Sequence, residues 1–277
     1  EDDGRTWERR GVPAPHEPET NRMNVAAGQA ENGDLLVLAS GWSNKPVPEK
    51  VGDAPFRSEI LNPWVCRSAD NGHTWQQTGE VNLPGTDAVI PFGDILAGDN
   101  GALHATAYKH PQCDVVFLSS HDDGNTWQQH VPLTGDGRHN ETDILHLGSG
   151  RWLAASRTAD DRNLDLFVSD DDGANWHFER MLTGPGMHPA HLARLQDGRI
   201  VLTFGIRFGN CPGVGVRFSE DEGASWRWRT TVITKLDGAR DIGYPSSVQC
   251  DDGTIVTAWY ANATESHARY HMGVTRW

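Results

Sequence analysis

Two residues far apart in the chain have the chemistry of a base and a nucleophile and occupy matching positions. Glu141 and Tyr244 each stand nine residues before the glycine of a following turn, Gly150 and Gly253. In a repeated β architecture, matching positions point toward one axis. There a carboxylate could take the proton of a phenol and let the phenol oxygen attack an anomeric carbon. The other interpretation is that Tyr244 packs as a core aromatic while Glu141 makes a structural hydrogen bond.

The strands that must position this pair are indicated by a motif that recurs along the chain. The pattern Ser-x-Asp-x-Gly-x-x-Trp ends at Trp75, Trp127, Trp176 and Trp226, and a copy that lacks only its serine ends at Trp7. The aspartate can accept backbone N–H groups within a turn, the glycine supplies a positive φ, and the tryptophan covers apolar surface between sheets. We therefore interpret the motif as structural.

Strand-like segments repeat between the motifs and predict an all-β chain. Apolar runs rich in β-branched residues follow turns that contain glycine. Each repeat is predicted to be a four-stranded blade, and residues 1–277 one β-propeller domain of five blades. The chain begins inside a motif copy, so residues 8–12 are predicted to form the outer strand of the last blade and to close the ring. A trimmed six-bladed propeller is the alternative.

These motifs resemble a known family. The pattern Ser-x-Asp-x-Gly-x-x-Trp is similar to the Asp box, or BNR repeat, of the sialidase (neuraminidase) superfamily, and the resemblance covers essentially the whole chain. Glu141 followed by Arg157, and Tyr244 followed by Pro-Ser-Ser, resemble in order and spacing the blades that carry the family's glutamate, second arginine and tyrosine. The resemblance implies that Tyr244 is a nucleophile, that Glu141 activates it, and that Arg157 belongs to a three-arginine clamp for a substrate carboxylate.

The resemblance implies two further arginines. Arg22 occupies the place of the family's Arg-Ile-Pro motif, of which only the arginine is present. Arg207 is favoured over Arg217 as the third member, because it ends the second strand of its blade as Arg157 does. Planar guanidinium groups bind carboxylates through two hydrogen bonds, so an acidic protein could hold an anionic sugar in a local positive pocket. A surface ion pair is the alternative for each arginine.

The acid/base is expected in a long proline-rich loop of the first blade, residues 43–63. Loops of this length are usually functional or mobile. Asp53 is favoured because the sialidase aspartate lies in the equivalent loop, while Glu49 and Glu59 are the other carboxylates there.

Two histidines leave other activities open. His188 and His191 have no part in the sialidase scheme, although His188 is expected near the axis and could contact sugar hydroxyls. Related propeller folds include lyases in which a histidine and a tyrosine abstract a proton beside a uronate carboxylate, a role open to His188 and Tyr244. A structural histidine is the alternative for each of the two. A non-catalytic glycan-binding propeller is the third functional hypothesis.

The composition of the chain argues against several classes of binding partner. With 24 basic and 38 acidic residues the formal net charge is -14, which argues against nucleic acid and against an anionic membrane surface. No apolar run is long enough to span a membrane and no signal peptide is visible, so the chain as given is predicted to be soluble, with its compartment unknown. Four widely spaced cysteines are predicted to be buried free thiols. No histidine and carboxylate cluster stands at ligand spacing, so neither a metal nor a cofactor is predicted.

Together these features predict an exo-acting glycoside hydrolase of sialidase type. Its partner would be a carbohydrate, from which it would release a terminal anionic sugar such as sialic acid with retention of configuration.

Overall fold

The structure, a computed structural model, describes residues 2–44, 59–86, 88–209 and 211–277. These residues contain nineteen β-strands and no helix, so the predicted all-β class is confirmed. Across the described ranges, no helix is long and apolar enough to cross a membrane.

The strands fall into five successive antiparallel groups, here called blades one to five. Their bounds are β1 Asn24–Gln29, β2 Leu35–Ser43, β3 Glu59–Ser68 and β4 Gln76–Glu80 in blade one; β5 Val89–Ala97, β6 Leu103–Lys109, β7 Asp114–Ser120 and β8 Gln128–Pro132 in blade two; β9 His139–Gly148, β10 Arg151–Thr158, β11 Leu164–Ser169 and β12 His177–Met181 in blade three; β13 Met187–Arg194, β14 Ile200–Ile206, β15 Gly213–Ser219 and β16 Thr231–Lys235 in blade four; and β17 Gly243–Gln249, β18 Ile255–Ala261 and β19 His271–Arg276 in blade five.

The first strand of each blade is the inner one. It contacts the first strand of the next blade, from β1 with β5 through to β13 with β17. Ala26–Gly28 of β1 even pair in parallel with Gly93–Ile95 of β5, which joins blades one and two into an eight-stranded sheet. No strand pairing joins β17 to β1 among the described residues. The five-bladed ring and its six-bladed alternative both stay predictions.

The core lies between neighbouring blades. The second strands are the most buried, and every residue of β14 is buried, which explains why that strand appears in the sequence as an almost continuous apolar run. Between blades two and three, Phe117, Trp152 and Phe167 pack in one cluster, with the rings of Phe117 and Trp152 edge to face at 5.4 Å. Burying one such side chain stabilises the fold by roughly 1.5–3 kcal/mol.

The Asp boxes form one repeated hydrogen-bond pattern where the third strand of a blade ends. In blade two, Ser120 Oγ donates to Asp122 Oδ1 at 2.8 Å and accepts the N–H of Gly124 at 2.9 Å, while Trp127 Nε1 donates to the Gly124 carbonyl at 3.1 Å. Gly124 has φ of +82°, and a Cβ there would lie 2.4 Å from the side chain of Leu36. The same contacts recur in blades one, three and four. The structural interpretation of the boxes is confirmed.

The partial box at the start of the chain lies against blade five, as predicted. Asp2 accepts the N–H of Thr6 at 2.9 Å, and Trp7 Nε1 donates to the Gly4 carbonyl at 3.1 Å. A Cβ on Gly4 would lie 3.0 Å from Val256 of β18. This box therefore has the local geometry of the other four.

The strand predicted over residues 8–12 is wrong. The N–H of Gly11 donates to the Gly72 carbonyl in the box of blade one at 2.8 Å, so the segment turns away from blade five. A Cβ on Gly11 would lie 2.8 Å from that same carbonyl oxygen, so only glycine permits the approach. Blade five consequently has three strands within the described ranges.

The cysteines carry free thiols, as predicted, but their predicted burial holds for one of them. Cys66 is buried, and its burial raises the pKa of the thiol to about 11. Cys113, Cys211 and Cys250 are only half-buried.

Candidate active site

The candidate site lies where the inner strands begin, at the opposite edge of the blades from the Asp boxes. Glu141 stands near the start of β9 and Tyr244 near the start of β17. Arg157 stands near the end of β10, and Arg207 follows directly after β14. Because antiparallel strands alternate in direction, the starts of first strands and the ends of second strands meet at one edge.

The backbone of β17 is distorted at Tyr244. Tyr244 has φ of +49° and the preceding Gly243 has φ of +96°. The register with β18 shifts between Gly243 and Ser246, and a bulge of this kind redirects a side chain. A positive φ at a bulky non-glycine residue inside a strand costs about 1–3 kcal/mol, and strained positions of this kind cluster at active sites and ligand clamps. The strand start is therefore shaped to present Tyr244.

Tyr244, Glu141 and Arg157 form a hydrogen-bonded triangle. Tyr244 Oη donates to Glu141 Oε1 at 2.5 Å, across 103 positions of sequence. Arg157 Nη1 donates to Glu141 Oε2 and, at 3.2 Å, to Tyr244 Oη. Glu141 is only 6% exposed, so its carboxylate is held by these two partners with little competition from water. The predicted meeting of Tyr244 and Glu141 is confirmed.

Electrostatics keep the phenol protonated. Burial and then the charge of Glu141 raise the pKa of Tyr244 well above 10, although Arg157 and Arg207 act in the opposite direction. Burial acts to lower the pKa of Arg157, but Glu141 and the other negative partners outweigh it and raise that pKa. The site thus holds a neutral phenol beside a carboxylate that can accept its proton.

A second carboxylate occupies the other side of Arg157. Asp161 Oδ1 accepts from Arg157 Nη2 at 2.5 Å and from Nε at 3.1 Å. Asp161 has φ of +60°, and its carbonyl accepts the N–H of Gly186 at 3.2 Å. The sequence interpretation did not include Asp161.

Arg207 lies beside Tyr244 and is also paired with a carboxylate. Its guanidinium carbon is 4.9 Å from the centre of the Tyr244 ring, and its Nη2 donates to Asp241 Oδ1 at 3.2 Å. Asp241 accepts from the hydroxyls of Tyr260 and Tyr270, each at 2.6 Å. The ring of Tyr260 stacks on Tyr244 at 5.1 Å. Three tyrosines, one arginine and one aspartate therefore form a single wall of the site.

The competing arginine, Arg217, lies elsewhere. Its Nη1 donates to the Leu182 carbonyl and its Nε donates to Thr230 at 3.0 Å. It is 5% exposed and braces the outer part of blade four. Of the two, Arg207 is the one that contacts Tyr244 in the described part of the chain.

His188 is buried beside the arginines. Its Nε2 lies 3.2 Å from the Asp161 carbonyl, which can only accept, so Nε2 carries the proton. Burial, followed by the charges of Arg157 and Arg207, lowers the pKa of His188 to about 4. His188 is therefore neutral at pH 7. Its hydrogen bond goes to a backbone carbonyl rather than to Tyr244, which works against the predicted histidine and tyrosine lyase pair.

The contacts of Arg22 lie in blade one and in the segment before it. Its Nη1 donates to the Asn62 carbonyl at 2.6 Å, its Nη2 lies 3.5 Å from Glu17, and its guanidinium carbon is 3.8 Å from the centre of the Trp64 ring. Within the described ranges, no hydrogen bond or ion pair links Arg22 to Tyr244 or Glu141.

The loop predicted to carry the acid/base is described only in part. Asp53 and Glu49 lie outside the described residues. Glu59, at the start of β3, is exposed and lines a cleft between blades one and two, together with Trp42 and His110. That cleft is not lined by Tyr244 or Glu141.

A buried acidic cluster lies deeper along the inner strands. Asp143 accepts the N–H of Asp94 at 3.1 Å and that of Leu192 at 2.6 Å, and His191 Nε2 lies 3.5 Å from Asp94 Oδ2. His191 Nδ1 in turn accepts the N–H of Ser247 at 3.3 Å. These contacts join β5, β9, β13 and β17. Burial and then Asp94 raise the pKa of Asp143 to about 7.

Two groups of side chains have the donor set for a metal ion. Asp94, Asp143 and His191 form one, and Asp99, His146 and Asp172 form the other, at the edge that carries the boxes. In the first group the backbone N–H groups already use both Asp143 oxygens, so it serves to connect four inner strands.

The spacing of the sequence also marks the buried acidic cluster, whose contacts were not predicted. Asp94, Asp143 and His191 each stand seven residues before a turn glycine, Gly101, Gly150 and Gly198. This equivalence predicts that they meet at the axis, as the spacing of Glu141 and Tyr244 does.

Tyr260 could have been found in the same way. It stands seven residues after Gly253, as Arg157 stands seven after Gly150, so both occupy the end of a second strand. No comparable signal marks Asp161, which lies in a turn.

Comparison with known proteins identifies a family. The model of the BNR repeat-like domain family matches residues 1–257. A curated relative, a sialidase from Bacteroides fragilis (strain YCH46), is 24% identical over 242 residues, which cover 79% of this chain and 40% of the relative. The chain therefore spans well under half the length of that relative. The predicted resemblance to sialidase-type BNR proteins is confirmed.

Solved structures agree with the fold. A protein of unknown function from Dyadobacter fermentans DSM 18053 superimposes with a TM-score of 0.81 at 23% identity, covering 100% of this chain and 81% of that protein. An alpha-L-arabinanase of Penicillium chrysogenum, complexed with arabinobiose, superimposes with a TM-score of 0.63 at 18% identity, covering 95% of this chain and 83% of that protein. At these identities the similarity establishes a shared all-β propeller-type architecture.

Proposed function

This chain belongs to the BNR repeat-like domain family, and we propose that it is a retaining glycoside hydrolase whose nucleophile is Tyr244. The observation that carries this proposal is the 2.5 Å hydrogen bond from Tyr244 Oη to Glu141 Oε1. A buried carboxylate bonded to a phenol on a distorted strand start is the arrangement that tyrosine attack requires.

In the first step Tyr244 Oη forms a bond to the anomeric carbon while its proton passes to Glu141. The glycosidic bond breaks, and the leaving oxygen takes a proton from an acid. In the second step water attacks the anomeric carbon and gives a proton to the acid that was deprotonated in the first step. The bond to Tyr244 breaks, and Glu141 returns its proton to the phenol. Two displacements at one carbon retain its configuration.

The raised pKa of Tyr244 fits this sequence of events. A preformed phenolate would require a lowered pKa, whereas burial and Glu141 raise it. Proton transfer to Glu141 therefore accompanies attack on the sugar. Arg157, which donates to both oxygen-bearing groups, keeps them in line and stabilises the negative charge that develops on the tyrosine oxygen.

For the acid/base we propose Asp53, on the resemblance of its loop to that of sialidases. Asp53 lies outside the described residues, so its proposed role rests on sequence. Glu59 belongs to the same loop and lies within the described residues. It lines the cleft between blades one and two.

The sugar has two candidate classes. The predicted arginine clamp and the sialidase relative favour an anionic sugar. The arabinanase with the same architecture has neutral arabinobiose bound, and here Arg157 and Arg207 are both paired with aspartates, which favours a neutral sugar.

The experiment is a kinetic comparison of Tyr244→Phe with Thr78→Val, a variant that also removes one hydroxyl group. The wild type is assayed against 4-nitrophenyl glycosides of neutral and acidic sugars and against 4-methylumbelliferyl N-acetylneuraminide. Tyr244→Phe should lower kcat/KM by about 10³-fold or more. Thr78 lies in β4, the outer strand of blade one and outside the proposed machinery, so Thr78→Val should retain activity.

Trapping the intermediate sharpens the test. A fluorinated glycosyl fluoride of the hydrolysed sugar should leave a glycosyl group on the peptide that contains Tyr244, detected by mass spectrometry. The proposal would be refuted if the wild type hydrolysed none of the glycosides, or if Tyr244→Phe kept full activity.

A further inference from the structure

The two arginines beside Tyr244 are already neutralised by carboxylates of the protein. Arg157 forms ion pairs with Glu141 and with Asp161, and Arg207 forms one with Asp241. A guanidinium meant to clamp a substrate carboxylate needs a free face with two N–H donors in line. Here all three nitrogens of Arg157, and Nε and Nη2 of Arg207, already donate to groups of the protein.

Asp161 is held in place by the backbone around it. Its φ of +60° turns the chain sharply after Arg157, and its carbonyl accepts from both Gly186 N–H and His188 Nε2 at 3.2 Å. Two of the three nitrogens of Arg157, Nε and Nη2, donate to its carboxylate. A substrate carboxylate would have to displace a partner whose backbone is held by two hydrogen bonds to its carbonyl.

Asp241 is held by side chains. Both of its oxygens accept tyrosine hydroxyls, one from Tyr260 and one from Tyr270, each at 2.6 Å. Arg207 is fixed in turn, because its Nε donates to the Ile242 carbonyl at 3.2 Å. The pair is therefore part of a hydrogen-bonded network of two tyrosines, one aspartate and one arginine.

The ion-pair network beside Tyr244 carries a net negative formal charge. Glu141, Asp161 and Asp241 contribute three negative charges against the two positive charges of Arg157 and Arg207, and the neighbouring His188 is neutral. A sugar carboxylate entering this space would meet a net charge of its own sign. A hydroxyl-bearing sugar would instead find charged acceptors and donors for its hydroxyl groups.

We propose that the sugar bound beside Tyr244 carries no carboxylate, because Asp161 and Asp241 are built-in counter-ions of Arg157 and Arg207. The inference rests on the proposed function and names the substrate class of that same site. It departs from the anionic sugar that the sequence predicts.

Matched glycosides test it directly. The substrates are 4-nitrophenyl galactoside and galacturonide, in both anomers, which differ only in a carboxylate, together with 4-nitrophenyl α-L-arabinofuranoside and 4-methylumbelliferyl N-acetylneuraminide. A neutral glycoside should have the highest kcat/KM, at least about tenfold above any carboxylated one, which is the size of one charge-assisted hydrogen bond. A preference for a carboxylated glycoside that Tyr244→Phe abolishes would overturn the inference and leave the hydrolase proposal intact.

A variant pair tests the counter-ion itself. Asp161→Asn removes one counter-charge from Arg157, whereas Asp160→Asn makes the same charge change in the same turn, where Asp160 pairs with Arg162. Millimolar N-acetylneuraminate should raise the unfolding temperature of Asp161→Asn and leave wild type and Asp160→Asn unchanged. This binding test needs no turnover, so it decides the inference even if no glycoside is hydrolysed. Equal stabilisation of all three proteins, or of none, would contradict the role of Asp161.

Discussion

The two edges of the blades use aspartate in opposite ways. At the box edge, Asp122 accepts hydrogen bonds from Ser120, two residues away, and from the N–H of Thr126, four residues away. At the site edge, Asp241 is bonded to Arg207, 34 residues away, and to Tyr270, 29 residues away. The box is a local structure repeated five times, and the site is assembled once from several blades.

This difference separates stability from chemistry. A turn whose hydrogen bonds are all local can be repeated in every blade. Its loss is therefore expected to lower the free energy of unfolding rather than the activity. A cluster whose members come from different blades exists only in the folded chain, so its members are free to serve binding and catalysis. The predictions below test whether the two edges separate in this way.

The largest effect is expected for Glu141→Gln at the site edge. The amide cannot take the proton of Tyr244, so kcat/KM should fall by about 10²–10⁴-fold, the usual contribution of a positioned base. Its unfolding temperature should stay close to that of the wild type. Glu31→Gln, in an exposed turn at the box edge, is the control and should change neither quantity. A lowered unfolding temperature of Glu141→Gln, with unchanged kcat/KM of the folded protein, would contradict the proposed separation of the two edges.

The next effect concerns the box tryptophans, which share a motif and differ in burial. Trp127 is 6% exposed and Trp7 is 67% exposed. Trp127→Ala should lower the free energy of unfolding by about 3–5 kcal/mol, as expected for a cavity left by a large aromatic. Trp7→Ala should lower it by less than about 1 kcal/mol, since an exposed ring leaves no cavity. Urea unfolding measures both, and equal losses would show that the motif rather than its burial sets the cost.

A smaller effect is expected from the box carboxylate. Asp122→Ala removes an acceptor from Ser120, Thr126 and the turn backbone, and should cost about 1–3 kcal/mol in the free energy of unfolding. The kcat/KM of the folded variant should be unchanged. Asp251→Ala, in the exposed turn between β17 and β18, should cost much less. A lowered kcat/KM in fully folded Asp122→Ala would show that the box contributes to catalysis.

The smallest effect is a pH dependence from the buried axis cluster. The pKa of Asp143 is raised to about 7, from an ordinary value of 3.8, so the folded state holds its proton more tightly than the unfolded state. The contribution of Asp143 to stability should therefore decline as the pH rises from about 4 to about 7 and stay level above that. Asp143→Asn cannot titrate at this position. The unfolding temperature of the wild type minus that of the variant should fall between pH 5 and pH 8, and a constant difference would refute the raised pKa.

The fold was largely readable from local signals. The box motif predicted the turns after β3, β7, β11 and β15, and the glycine turns predicted the first and second strands of every blade. Residues 8–12 were misread because repetition alone placed them, whereas the contact between Gly11 and Gly72 depends on where blade one lies. Local pattern could not supply that position.

The site was readable only where spacing repeats. Glu141 and Tyr244 were found because equivalent positions on different blades face one axis. Asp161 and Asp241 were not assigned, because their roles arise from where neighbouring loops bring them against Arg157 and Arg207. Arg22 was assigned by resemblance, yet its guanidinium is held by Trp64 and Asn62 in blade one.

The sequence by itself determined the all-β class, the repeated blades and the identity of the tyrosine and glutamate that meet. The first two follow from interactions between residues close in the chain. The third follows from the repeat of the blades, which places residues at equivalent distances from a turn glycine at equivalent positions on the inner strands. Only the tertiary structure decided which charges surround that pair. Side chains separated by dozens of residues form ion pairs once the blades are packed, and the sign of the charge offered to a sugar depends on all of them together.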